Sequence, residues 1–292
     1  MIISVITPFY HGNKFIKQLI QSVNATALSI GNDATVELII VNDSPDEKVV
    51  IPPISGAAIS IQLINNDKNI GIQRTRIEGL AKAKGDWVIF LDQDDELIPE
   101  NYPQMIKCCK DADLVAGNLI YESNGVRKPF YQSAEVLRYS IKLRYFLTVR
   151  NMIPSPGHCL IRKEIIPQLW RESPLHNNGS DDYLLWILLL KANRRVKTVG
   201  DCVYIHHDEG DNLSLDLEKM HTSSIEMCKI LRNNSVLPEQ EQTQLERSIE
   251  LKYLQDRGQL SVIQMIKYID AITRILKYKL GMICCLLNKK KQ

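Results

Sequence analysis

The sequence has no apolar run long enough to cross a bilayer. The longest, Leu184–Leu190, falls well short of the roughly 18–20 residues a spanning helix needs. Residues Met1–Tyr10 lack the basic stretch, apolar stretch and small-residue cleavage site of a secretion signal. The seven cysteines show no CxxC spacing, which argues against a structural zinc site. Their odd number and scattered placement fit a reducing compartment better than a disulfide framework. Two phosphate-binding devices are also missing: no GxGxxG follows the first apolar run, and no GxxxxGK followed by Ser or Thr occurs. A nucleotide bound by this chain would therefore not rest on a glycine-rich loop. Finally, no basic stripe dominates. The net charge is +2, so nucleic acid is not an expected partner, and the basic excess is local to Lys289–Lys291.

What is present reads as an ordinary globular protein with one substantial α/β core and an appendage: 292 residues, 45% hydrophobic and 24% charged. Strand-like apolar runs occur at Ile2–Ile6, Glu37–Val41, Ile59–Ile64, Asp86–Leu91 and Asp113–Ala116. Helical spacing separates them, from Asn13 through Val23, from Ile72 to Ala83, and after Pro99, a residue tolerated in a first helical turn. Alternation of this kind predicts a mostly parallel central sheet with flanking helices. Beyond residue 120 the pattern loosens. A turn is expected at Ser123-Asn124-Gly125 and a helix over Ala134–Leu147. A proline-bearing loop at Ile153–Gly157, a short strand at His158–Ile161 and an apolar helix over Tyr183–Leu190 follow. From about Leu215 the chain reads as entirely helical. The expected organisation is one domain over residues 1–214, with halves meeting near residue 120, and a helical C-terminal extension over 215–292. There are no internal repeats.

In an open parallel sheet, ligands bind beyond the carboxyl ends of the strands. There the sequence places Thr7-Pro8-Phe9-Tyr10, then Asn42-Asp43, then Asp92-Gln93-Asp94-Asp95. Carboxylates this crowded repel one another and call for a cation or hydrogen-bond donors. Asp92 and Asp94, two apart on an extended segment, point the same way. Two hard oxygen ligands suit Mg²⁺ or Mn²⁺, the other positions being filled by phosphate oxygens and water. The alternative is a solvated acidic turn whose Asp95 and Glu96 complement the helix opened by Pro99.

Four segments, in order, resemble family 2 glycosyltransferases: Val5-Ile6-Thr7-Pro8-Phe9-Tyr10, Ile39-Ile40-Val41-Asn42-Asp43-Ser44, Asn69-Ile70-Gly71 followed by Arg76, and Lys84-Gly85-Asp86-Trp87 through Asp95. That family has the GT-A fold, a Rossmann-like sheet, and the resemblance runs over about residues 1–215. It implies an inverting, metal-dependent hexosyltransferase (EC 2.4). Such an enzyme would move a sugar from a nucleotide-sugar, most readily a UDP-sugar, to a glycan or lipid-linked saccharide hydroxyl in surface polysaccharide biosynthesis. The halves of the first domain would then bind donor (1–120) and acceptor (121–214). Thr7, Pro8 and Tyr10 would line the nucleoside pocket and Asp43 would bond the nucleobase. Arg76 would lie near base and diphosphate, although its neighbours Thr75 and Ile77 depart from the family's Ala-Arg-Asn. Asp92 would touch ribose or metal, and Asp94 would be the principal metal ligand. Gly179-Ser180-Asp181-Asp182 resembles the family's Glu-Asp motif, with Asp181 in place of Glu, and makes Asp182 the general base. The alternative is that Ser180 caps the helix and both aspartates complement its dipole. Some members carry a histidine near the metal after a later strand. Here His206 and His207 compete for that place, with His207 taken as the ligand, and His158 reads as structural. The rival to an enzyme is a non-catalytic GT-A domain that binds a nucleotide-sugar or scaffolds a complex.

Met265, Ile269, Ile272, Leu276, Leu280, Ile283 and Leu287 form an apolar stripe on a helix with lysines around it. Two readings stay open. One is an interfacial helix at an anionic membrane. The other is a helix packed on its own domain or on a second subunit of a homo-oligomer. The expected location is the cytoplasm, with the inner face of the plasma membrane as the place of any membrane contact.

Overall fold

A computed structural model describes residues 1–208 and 215–289, with side chains through residue 286. The boundary expected at residue 214, the side chains of Leu287 and Lys289, and Lys290 and Lys291 lie outside the described residues. Packing divides the chain into two compact units. One holds Met1–Ala134, Ser155–Ile166 and the strand Val196–Asp208. The other holds Glu135–Pro154, Pro167–Asn193 and the C-terminal helices.

The first unit carries the sheet. Its strands are β1 (Ile2–Phe9), β2 (Thr35–Asn42), β3 (Ile59–Asn65), β4 (Trp87–Phe90), β5 (Glu96–Leu97), β6 (Leu114–Ser123), β7 (Val126–Pro129), β8 (Cys159–Arg162) and β9 (Val196–Asp208). They lie in the order β3-β2-β1-β4-β8-β6-β9-β5, with β7 paired to β6. The first four run parallel. Beyond them β8 pairs antiparallel to both β4 and β6, β9 is parallel to β6, and β5 is antiparallel to β9. The sheet is thus mixed, parallel throughout in its first half. From Ile3 onward β1 is buried, and β2 is buried from Val36. That is why both read as unbroken apolar runs rather than alternating ones.

Three helices complete this unit: α1 (Ile16–Ile30), α2 (Ile72–Lys82) and α3 (Tyr102–Cys108). In α1 the residues Ile16, Leu19, Ile20, Val23, Ala27 and Ile30 recur at three and four and are all buried. Each of the larger ones contributes about 1.5–3 kcal/mol by leaving water. Helix α2 starts after Gly71, whose φ of 87° is open to glycine. Pro99 opens only a 3-10 turn, Pro99–Asn101, before α3. Pro103 has no N–H to bond the Pro99 carbonyl, so the α pattern starts later. The turn expected at Ser123-Asn124-Gly125 joins β6 to β7, with positive φ at Asn124 and Gly125.

The second unit is helical: α4 (Ala134–Ser140), α5 (Leu143–Thr148), α6 (Gln168–Glu172), α7 (Asp181–Lys191), α8 (Leu217–Asn233), α9 (Glu239–Asp256), α10 (Val262–Lys267) and α11 (Ile269–Lys289). The one helix expected over 134–147 is two, because Lys142 is extended (φ −141°, ψ 137°). The break lets Val136 and Leu137 of α4 and Tyr145 and Phe146 of α5 all be buried. Helix α7 is apolar on every side and is buried from Tyr183 to Leu189, as a core helix should be.

Candidate active site

The parallel register of β1, β2 and β4 brings their carboxyl ends to one edge: Phe9 lies opposite Asn42, and Ile6 opposite Phe90. Three loops leave from there, and side chains tie them together. The Gln93 amide pairs with the Tyr10 backbone, accepting from its N–H at 2.8 Å and donating to its carbonyl at 3.0 Å. The acidic turn is therefore fixed to the loop after β1. Thr7 and Pro8 are buried, and the Thr7 hydroxyl has no partner among the described residues. Tyr10 stands exposed at the rim against the His11 ring.

Asp43 is buried and braces the neighbouring loop. Its Oδ1 accepts from Asn66 Nδ2 and Ile70 N, both at 2.9 Å, and its Oδ2 accepts from Gly71 N at 3.0 Å. A carboxylate offers about four acceptor positions, so a lone pair of Oδ2 is left over. The pairing also explains Asn69-Ile70-Gly71: Asp43 collects the N–H groups of the turn that starts α2.

The four acidic residues after β4 meet different fates. Asp92 Oδ1 accepts from Arg76 at 2.6 Å. Arg76, on α2, is buried, its side chain 4% exposed. Asp92 Oδ2 lies 3.5 Å from the Ser155 hydroxyl, which lies 2.7 Å from the Tyr204 hydroxyl. Tyr204 in turn donates to Asp95 Oδ2. Asp95 is 1% exposed and also meets His206 Nδ1 at 3.0 Å and the His207 N–H at 2.8 Å. Asp95 thus binds strand β9 rather than the helix after Pro99. Gly157 leaves room for this: a Cβ there would sit 2.2 Å from the Tyr204 ring.

Asp94 is the exception. No side-chain donor among the described residues pairs with it. Desolvation, then the charges of Asp95 and Asp92, push its carboxyl up to about 7. Burial alone would lower His206, but its bond to Asp95 and the surrounding carboxylates push it up to about 9. The cluster therefore holds two cations, Arg76 and His206, against three carboxylates; Arg76 bonds Asp92 and His206 bonds Asp95, while Asp94 has only its own backbone N–H and the more distant charge of His206. Such a group fits a hard divalent cation. Among the described residues no three His, Cys, Asp or Glu side chains surround one metal position.

The sequence offered His207 to the metal, but alternate residues of a strand face opposite sides, and it is His206 that turns its ring to the acidic turn. The His207 ring lies 2.9 Å from Glu96 Oε1 and 3.8 Å from Glu122 Oε2. His158 is buried, its Nδ1 2.7 Å from the Gly117 carbonyl, and burial drives its imidazole down to about 4. It is a neutral structural histidine.

Asp182 belongs to the helical unit, in the first turn of α7. Asn151 Nδ2 donates to its Oδ2 at 2.8 Å, and the Tyr183 N–H meets its Oδ1 at 2.7 Å. Ser180 does not cap the helix with its hydroxyl, which instead lies 2.9 Å from that of Ser224. The Asp181 carbonyl accepts from the buried Trp170 indole at 2.8 Å. Gln93, Asn151, Ser155 and Tyr204 all escape a reading of the sequence, where nothing marks them off from ordinary loop and strand residues.

The family model for glycosyl transferase family 2 matches residues 4–170. An uncharacterized glycosyltransferase of Bacillus subtilis, YwdF, is 27% identical over 226 residues, which is 74% of this chain and 79% of that protein. Among solved structures, S. aureus TarS in complex with UDP superposes with a TM-score of 0.57 at 15% identity, over 95% of this chain and 81% of that one. The mannosyltransferase PcManGT from Pyrobaculum calidifontis, in complex with GDP-Man and Mn²⁺, superposes with a TM-score of 0.54 at 12% identity, over 99% and 79%. At these identities the structural likenesses establish a shared GT-A fold.

Proposed function

The chain belongs to glycosyl transferase family 2, and from that membership we propose that it transfers one sugar, with inversion, from a nucleotide-sugar to a hydroxyl of a glycan or lipid-linked saccharide. The observation that carries the reading is Asp94, desolvated and bonded to neither cation, at the carboxyl edge of the parallel strands where Arg76 and His206 already hold Asp92 and Asp95. A nucleotide-sugar as donor is supported by the company the fold keeps: the similar structures were solved with UDP, UDP-GlcNAc and GDP-Man.

In this reading Thr7, Pro8 and Tyr10 wall the nucleoside pocket, and the spare lone pair of Asp43 accepts from the base. Arg76 holds Asp92 in place and adds positive charge where the diphosphate lies. Mn²⁺ or Mg²⁺ held by Asp94, with Asp92 beside it, would supply the charge that offsets the departing diphosphate. His206 rather than His207 is the histidine of this site. Asp182 takes the proton of the acceptor hydroxyl as that oxygen attacks the anomeric carbon and the bond to the diphosphate breaks. Asn151 keeps that carboxylate turned for the task. A cytoplasmic setting and a product destined for a surface polysaccharide complete the proposal.

The test is a panel of nucleotide-sugars incubated with the purified chain and Mn²⁺ or Mg²⁺, read as released nucleoside diphosphate. At least one donor is expected to be hydrolysed slowly without acceptor and faster with one. Binding without turnover across all acceptors would point to a non-catalytic domain, and no binding at all would defeat the proposal.

A further inference from the structure

Helix α11 has two apolar faces. One is packed inside its own unit: Ala271, with Tyr268 just ahead of the helix, clusters with Leu251, and the Tyr278 hydroxyl lies 3.2 Å from Ser140 Oγ in a buried position. The other is bare. Ile269, Leu276, Leu280 and Ile283 each leave half or more of their surface exposed, and so do Ile263 and Ile266 of α10. With about 100° per residue, Ile269, Leu276, Leu280 and Ile283 share one line along the helix, roughly opposite Ala271 and Tyr278. Soluble surfaces rarely carry an aliphatic stripe this continuous without a use for it.

The charges beside the stripe say what covers it. Lys277 and Lys279, both exposed, project about 80° to either side. The one acidic residue of α11, Asp270, is held by Arg247 and Arg274, each at 2.6 Å. Pairing two such stripes between copies of the chain would set lysines against lysines, with no carboxylate on α10 or α11 beyond the Arg-held Asp270 to meet them. No helix among the described residues is long and apolar enough to cross a membrane, and α11 already spends its other face on its own unit. An apolar line flanked by cations and backed by protein is the form of a helix that lies flat in the headgroup layer.

We propose that α10 and α11 dock this enzyme on an anionic lipid surface, the aliphatic stripe entering the headgroup boundary and Lys277 and Lys279 meeting the lipid phosphates. The site acts independently of the donor reaction and can be tested without any substrate. Flotation of the full chain is measured with vesicles of phosphatidylcholine alone and with vesicles containing phosphatidylglycerol. Binding is expected to the second only, and to weaken in 0.5 M salt as screening shortens. Lys277→Gln with Lys279→Gln should lower the partition coefficient by about fivefold per lysine. Leu276→Ser with Leu280→Ser should abolish flotation. Melting temperatures tell whether either pair disturbs folding, and if the leucine pair does, the lysine pair decides. No flotation with anionic vesicles would overturn the proposal. So would unchanged flotation of the lysine pair or of a folded leucine pair, or a dimer in sedimentation that Leu276→Ser breaks.

Discussion

Replacing Asp94 by Asn should make the metal-free protein more stable, not less. Asp94 sits among Asp92 and Asp95 in a desolvated position, with its carboxyl raised from 3.8 to about 7. Above pH 7 the folded protein must hold that group ionised, and a shift of about three units costs about 4 kcal/mol at 1.36 kcal/mol per unit. The attraction of His206 is already contained in that figure, and relaxation and water around a carboxylate that is only partly buried reduce it, so a net gain of about 2 kcal/mol is expected. The sign follows from proton counts. Between pH 3.8 and about 7 the native state keeps a proton that the unfolded chain has released, so stability falls as pH rises through that window and levels off above it. Asn cannot ionise and matches Asp in shape, so the variant should lack this fall. Urea unfolding in a chelator, at intervals from pH 4 to pH 8.5, measures both curves. They should nearly meet at pH 4 and stand about 2 kcal/mol apart at pH 8, the variant higher. A variant equal to or weaker than the parent at pH 8 would show that Asp94 is already satisfied and would remove the reason for placing a cation there.

Two further outcomes follow from the site. Tyr204→Phe takes one donor from Asp95 and a partner from Ser155 in a fully buried setting. It should cost about 1–3 kcal/mol in urea unfolding, and a loss below about 0.5 kcal/mol would deny the bridge between Asp92 and Asp95. Asp182→Asn should leave donor affinity within about twofold while lowering transfer to acceptor by a factor of 10² or more, as separate binding and turnover measurements would show. Wild-type turnover in that variant would end its assignment as the base.

Much of this protein could be read from its sequence where local pattern and burial agree. Strands β1, β2 and β4 are buried on both faces and so announce themselves as apolar runs, and the residues after them mark the carboxyl edge. Asn124-Gly125 signals its turn because two positive φ values are needed there. What local pattern could not carry is pairing at a distance. Strand β5 has two residues and no period to detect, yet its pairing with β9, Glu96 opposite Ile205, is what delivers Asp95 to Tyr204 and His206. The choice between His206 and His207 depends on the phase of β9. Its register against β6 shifts on both sides of Asn118, and an irregularity of one residue exchanges the faces of all that follows. Arg76 could be placed near the diphosphate only through the family resemblance, because a buried cation is recognisable only by its partner, and Asp92 lies in another loop.

In the proposed reaction Asp94 would hold the divalent cation that offsets the diphosphate of a nucleotide. Calorimetric titration of UDP and of GDP into chelated protein, and then into protein with Mn²⁺, tests it directly. At least one nucleotide should bind about tenfold or more tighter with the metal, a gain of about 1.4 kcal/mol, and Asp94→Asn should lose that gain. Equal affinity in chelator and in Mn²⁺, or a gain that survives Asp94→Asn, would contradict it.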